Sequence, residues 1–128
     1  MTLLEKIKQG FVFFDGGYGT ILQAKGLKAG ELPETYNVLH PEMIRDIHYE
    51  YLMAGSQILK TNTFGCNALK FSEDGDMSLE KLVCAAVENA RNAMKKAGKV
   101  QGEDAYIALD LGPTGKLLEP LGDLPFEK

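Results

Sequence analysis

Three short segments of the chain end in residues suited to holding a small polar molecule. Phe11-Val12-Phe13-Phe14 runs into Asp15-Gly16-Gly17, and Gln57-Ile58-Leu59-Lys60 runs into Thr61-Asn62-Thr63-Phe64-Gly65. Tyr106-Ile107-Ala108-Leu109 leads through Asp110-Leu111 into Gly112-Pro113-Thr114-Gly115. Asp15 offers a carboxylate for a charge-assisted bond to an ammonium group. Gly16 and Gly17 let the main chain approach a ligand closely and present N–H groups to a carboxylate. Thr61, Asn62 and Thr63 supply neutral donors and acceptors that orient a ligand without adding charge. An amino-acid zwitterion fits that inventory. The plainer alternative is that Asp15 caps the helical turn after it and that the glycines serve only a tight turn.

Other chemistries fail on spacing. Gly17-Tyr18-Gly19 has Leu22 where a dinucleotide fingerprint needs its third glycine. Gly112-Pro113-Thr114-Gly115-Lys116 is too short between its glycines for a phosphate loop. Asp74-Gly75-Asp76 lacks the spacing of a calcium loop. His48 falls on the apolar face of a helix and reads as a hydrogen-bonded core residue; His40 reads as loop. Cys66 follows the Asn62–Gly65 turn at the edge of the candidate site, whereas Cys84 lies near an apolar helical stripe and is expected to be buried. Three protein ligands with an open position, as catalytic zinc needs, do not assemble from these residues.

The elements that must position the site alternate. Short continuous apolar runs at 11–14, 57–60 and 106–109 suit strands of a parallel sheet covered by helices. Between the first two, Pro41 opens a helix that Gly55 stops, with Ile44, Ile47, His48, Tyr51 and Leu52 on one face. Between the last two, Ser78 caps a longer helix whose stripe runs from Leu79 through Leu82, Ala86, Ala90 and Met94 to Ala97 before Gly98. Met1 to Gly10 reads as a short amphipathic helix and not as a signal peptide. Lys25 to Leu39 and the acidic Ser72–Asp76 stretch read as loops. The order predicts an α/β chain of parallel βα units.

Length and composition agree with one soluble domain. The 128 residues are 45% hydrophobic and 25% charged, with a net charge of −4 and no Lys/Arg cluster beyond Lys95-Lys96. Nucleic-acid binding is disfavoured by that balance, and no apolar run reaches the ~18–20 residues of a membrane span. Two cysteines eighteen positions apart form no disulfide framework, so a cytoplasmic setting is expected.

The same rim segments carry a family resemblance. Asp15-Gly16-Gly17-Tyr18-Gly19-Thr20 resembles the opening DGGMGT-type motif of the homocysteine S-methyltransferases. Glu34-Thr35-Tyr36-Asn37 followed by Pro41-Glu42 resembles the family's E-x-W-N and P-E stretch, with Tyr36 at the Trp. Ile47-His48, Ala54-Gly55, Thr61 to Gly65, and Gly112 to Gly115 with Leu118 to Gly122 match further blocks in order. The resemblance implies a TIM (β/α)8 barrel, of which residues 1–128 are the N-terminal portion and incomplete. It implies methyl transfer to the zinc-activated thiol of homocysteine to give methionine, with methylcobalamin as donor on the Gly112–Gly122 stretch. It assigns Asp15, Gly16, Gly17, Asn62 and Thr63 to the amino-acid end of homocysteine. The family's zinc-binding cysteines have no counterparts in Cys66 or Cys84, so this chain alone is expected to be inactive. The remainder of the barrel, or self-association, is expected to cover its exposed sheet. A non-catalytic module that binds an amino acid or a partner is the alternative.

Overall fold

The computed structural model describes residues 1–73 and 77–127, so that Asp74-Gly75-Asp76 lies outside the described residues. Helix α1 (Leu3–Gln9) is opened by a capping box in which Thr2 and Glu5 satisfy each other's N–H groups. Helix α2 (Gly19–Ala24) follows the first glycine turn. A 3₁₀ turn (Pro33–Thr35) leads into the single-turn α3 (Tyr36–Leu39) and then α4 (Pro41–Met53). Strand β1 (Ile58–Lys60), helix α5 (Leu79–Lys96) and strand β2 (Tyr106–Ala108) complete the order.

The stretch Lys25–Leu39, expected as loop, is thus partly helical. Pro33 fixes the backbone angle of a first turn, and Tyr36 and Asn37 are buried against the body, so tertiary contacts hold what local propensity would not. Ser78 accepts from the Lys81 N–H at the start of α5, and Gly98 takes a left-handed φ of 68° after its end.

β1 and β2 pair in parallel, with Ile58 opposite Tyr106 and Lys60 opposite Ala108. The expected first strand at 11–14 contracts to a single parallel bridge, Phe14 to Ile58. Phe13 O accepts from Gln57 N and Ile58 N, and Asp15 N donates to Ile58 O at 2.9 Å. Phe11 and Val12 have no strand partner among the described residues, because the chain before Gln57 turns away through Gly55 into α4. The β-forming residues are present, but the neighbour is too short. The three segments still lie side by side and parallel, so their C-terminal ends share one rim.

Two apolar clusters support that rim. Leu59 on β1 packs with Leu52 of α4 and with Ala90, Ala93 and Met94 of α5. Tyr18 and Leu22 pack with Tyr36, Ile44 and Ile47. Small residues on the buried stripe of α5 let α4 approach closely, and each large apolar side chain adds about 1.5–3 kcal/mol when buried. Cys84 was expected to be buried but is exposed. It points away from the Leu82–Ala86–Ala90–Ala93 stripe, since two residues from Leu82 is about 200° around the helix.

Polar side chains join the two layers. Asn37 Nδ2 donates to Asn62 O at 2.7 Å, and Asn62 Nδ2 donates to Pro33 O at 2.9 Å and Asn37 Oδ1 at 3.3 Å. Asn89 on α5 closes the ladder by donating to Asn37 O at 3.0 Å. All three are buried and their amides are used. Several large apolar side chains stay outside both clusters, among them Phe11 at 91% exposed and Leu121 at 86%. No helix among the described residues is long and apolar enough to cross a membrane.

Candidate functional site

The rim encloses a cavity of about 290 Å³, near the lower end of the roughly 300–1,000 Å³ usual for small-molecule sites. The first turn contributes Gly16 to Gly19, β1 and its loop contribute Lys60 to Phe64, and the 3₁₀ turn contributes Pro33 and Glu34. Asp110 enters from the end of β2. Of the residues expected at the site, Gly16, Gly17, Asn62 and Thr63 all line this cavity; Asp15 lies directly behind it.

Asp15 is the most heavily bonded residue of the group. Its carboxylate is fully buried and receives Lys60 Nζ at 2.6 Å, Lys60 N at 3.0 Å and the Tyr18 hydroxyl. Lys60 Nζ also donates to Asp15 O at 3.1 Å and Gly16 O at 3.4 Å. The charge of Asp15 is therefore matched from within the protein, and Lys60 is held over the glycine turn. Behind them Tyr18 Oη meets His48 Nδ1 at 2.8 Å. Burial pushes the Tyr18 hydroxyl far above its ordinary range, with the Asp15 carboxylate adding to it. Burial lowers His48 to about 4 against a smaller opposing pull from Asp15. The expectation that His48 is a bonded core residue holds.

The glycine turn is shaped by close packing. A Cβ on Gly16 would stand 2.8 Å from Tyr51 Oη, which itself donates to Gly17 O at 2.6 Å. The N–H groups of Gly16 and Gly17 have no acceptor among the described residues and are available to an anion. Thr61 and Thr63 share a hydroxyl bond of 2.7 Å. Thr63 Oγ1 donates to Asp110 O at 2.7 Å, while Thr61 Oγ1 accepts from Asp110 N at 3.1 Å. Their side chains thus lock the loops after β1 and β2 together. The Asn62 amide is committed to Pro33 and Asn37, so what Asn62 and Thr63 present to the cavity is largely main chain. Gly112 is required nearby, because its Cβ would lie 2.0 Å from Phe64 O.

Glu34 is a cavity residue that spacing alone had not marked as a ligand group. It is 7% exposed, and its Oε1 accepts from Gly65 N at 2.8 Å. Cys66 lies beyond it, half-buried; burial, with Glu34's charge adding, pushes the thiol up to about 11. Cys84 is on the outer face of α5, and no group of three or more His, Cys, Asp or Glu among the described residues is placed to hold a metal ion. The zinc implied by the motifs does not fit the donors of these residues.

Residues 12–128 match the family model described as homocysteine S-methyltransferase. The chain is similar to betaine–homocysteine S-methyltransferase 1 of Pongo abelii, with 33% identity over 118 residues, covering 91% of this chain and 29% of that protein. The mouse (Mus musculus) counterpart is 30% identical over 128 residues, covering 98% of this chain and 31% of its own length. Among solved structures, the metallated homocysteine methyltransferase MmuM of Escherichia coli superposes with a TM-score of 0.74 at 26% identity. That likeness covers 88% of this chain and 42% of MmuM. The chain spans about three tenths of the length of these betaine-enzyme relatives. With a family match over nearly its whole length, the chain belongs to the homocysteine S-methyltransferase family.

Proposed function

We propose that the rim cavity takes the amino-acid end of homocysteine, and that the chain is part of a methyltransferase that makes methionine. In that reaction a bond forms between sulfur and the methyl carbon, the bond from methyl to donor breaks, and the thiol proton is lost. The part assigned to these residues is binding and orientation. The free N–H groups of Gly16 and Gly17, with Lys60 above them, suit the ligand carboxylate. Main chain at Asn62 and Thr63 borders the same space, and Asp15 holds Lys60 and the glycine turn in place. The observation that carries this reading is the convergence of Gly16, Gly17, Asn62 and Thr63 on one cavity in a chain of this family.

Zinc activation of the thiol is assigned to ligands other than the described residues, so this chain alone should not turn over. Methylcobalamin is our choice of donor, on the resemblance of the Gly112–Gly122 stretch; betaine is the alternative, favoured by the names of the relatives. None of Gly112 to Gly122 lines the cavity, so in this reading the stretch bears on the donor and not on the amino-acid end. We further infer a cytoplasmic protein, and an apolar face around Phe11 and Phe13 that is covered by further βα units of an incomplete (β/α)8 barrel. The test is titration of the 128-residue chain with L-homocysteine, followed by amide NMR. Shifts confined to Gly16, Gly17, Asn62, Thr63 and their neighbours support the reading. No shift at concentrations on the order of millimolar would sink it, since Kd then exceeds anything useful.

A further inference from the structure

We propose that Lys60 is a tethered occupant of the cavity, and that a ligand enters by exchanging with its ammonium group. The inference rests on the amino-acid reading of the cavity and deepens it. Lys60 Nζ lies on three oxygens of the first turn: Asp15 Oδ1 at 2.6 Å, Asp15 O at 3.1 Å and Gly16 O at 3.4 Å. Three acceptors around one cation are what any primary ammonium needs. The resemblance at this turn assigns Asp15 to the amino-acid end of homocysteine, and a lysine already sits there.

The two oxygens of Asp15 separate holding from exchange. Oδ2 receives the Tyr18 hydroxyl and, at 3.0 Å, the Lys60 N–H, so the carboxylate keeps its position whether or not Nζ stays. Oδ1 has Nζ as its one partner among the described residues. Because the Asp15 carboxylate is fully buried, leaving Oδ1 without a cation is costly. The Lys60 side chain is 32% exposed and borders the cavity, so it is the partner that can leave.

Tethering decides which ligands succeed. A group fixed to the chain competes at an effective concentration on the order of millimolar, so an ammonium that arrives alone is held off. An α-amino acid brings a carboxylate as well. That carboxylate meets the unbonded N–H groups of Gly16 and Gly17 and receives the displaced Nζ. Lys60 thereby makes the cavity demand both charges of a zwitterion.

The test sets L-homocysteine against 3-aminopropane-1-thiol, which keeps thiol and ammonium but lacks the carboxylate. The parent chain is expected to bind the decarboxy probe at least about 10-fold more weakly than homocysteine. In Lys60→Met the competitor is gone, and affinity for the decarboxy probe should rise about 10-fold. Probe affinity that stays level or falls in Lys60→Met overturns the exchange and leaves the amino-acid reading standing, provided that the parent chain binds homocysteine. A parent chain that does not bind homocysteine overturns both. Since Lys60→Met gives up a buried pair, carbon NMR of the Lys60 ε-methylene in the parent chain supplies a second measurement. Saturating homocysteine should move that signal, and the decarboxy probe at equal concentration should leave it in place. A Lys60 signal that stays fixed under bound homocysteine, or that both ligands move equally, overturns the proposal.

Discussion

Tyr18 Oη lies 2.8 Å from Nδ1 of His48 while the same hydroxyl donates to Asp15. A hydroxyl has one proton, so with Asp15 receiving it His48 must donate from Nδ1, and the ring is the neutral Nδ1–H tautomer. Nε2 is then an unprotonated nitrogen in the core with no partner among the described residues. That arrangement has consequences for acid stability.

Burial holds His48 at about 4 in the folded chain, below the ordinary 6.5. Between these values the unfolded chain binds the extra proton, so stability rises with pH through that window and is fully present above about 6.5. We expect up to roughly 3 kcal/mol to be lost as pH falls from 6.5 to 4. His48→Asn retains a donor toward Tyr18 but cannot titrate, so its stability curve should lack this component. Urea unfolding of both chains across the window checks it; identical slopes would count against the buried neutral ring.

Tyr18→Phe removes one hydroxyl and strands the buried His48 Nδ1–H, while Asp15 Oδ2 keeps the Lys60 N–H as its donor. An unsatisfied buried group costs about 1–3 kcal/mol. We expect a loss of about 1–3 kcal/mol, measured by chemical denaturation; an unchanged midpoint would count against the bond to His48.

Lys60→Met leaves the fully buried Asp15 carboxylate without its cation. Breaking one partner of a buried pair costs about 3–5 kcal/mol; with Lys60 partly in solvent, about 2–3 kcal/mol is the expected loss. Asp15→Asn in the same background should be much less damaging than either single change implies. A double-mutant cycle with no coupling would refute the pairing seen at 2.6 Å.

At Gly16 the effect is steric. Ala at this position pushes on Tyr51 Oη from 2.8 Å and should disturb the bond from Tyr51 to Gly17 O. We expect Gly16→Ala to weaken homocysteine binding about 10-fold, as displaced positioning groups do, and Tyr51→Phe to restore part of it by removing the nearest atom. Additive losses would point to another cause.

Self-association should be visible in the isolated chain. Phe11, Leu121 and Phe126 are each more than four-fifths exposed, and Phe13 and Leu111 are exposed as well. We expect sedimentation velocity to give concentration-dependent species. A strictly monomeric boundary across the accessible range would mean that this face tolerates water.

How much of this could be read in advance depended on whether the partners are near in sequence. Helix α5 was legible because its cap, stripe and stop are consecutive: Ser78, the Leu82–Met94 face and Gly98. The convergence of the three turns on one rim was also legible, since parallel strands separated by helices must end on the same side. The strand at 11–14 was overestimated because its pairing depends on a neighbour 44 residues away. The commitment of Asp15 to Lys60 was invisible for the same reason, as 45 residues separate an apparent ligand from its internal counter-ion. Glu34 left one signal, an acid following Pro33 in a motif that otherwise carries packing residues. What made it part of the cavity is the bond to Gly65, 31 residues on.

The ladder of Asn37, Asn62 and Asn89 divides the rim into two kinds of part. These amides carry no charge and do not titrate, so they fix loop positions at any pH the fold survives. Charge in the cavity is set separately, by Asp15, Lys60, Glu34 and Asp110. Substitution at Asp110, which lines the cavity outside the Asp15–Lys60 pair, can therefore change the charge met by a ligand without touching the amide ladder. Frame and charge are thus separable parts of the rim, and the cavity's electrostatics can be re-engineered on an unchanged amide scaffold.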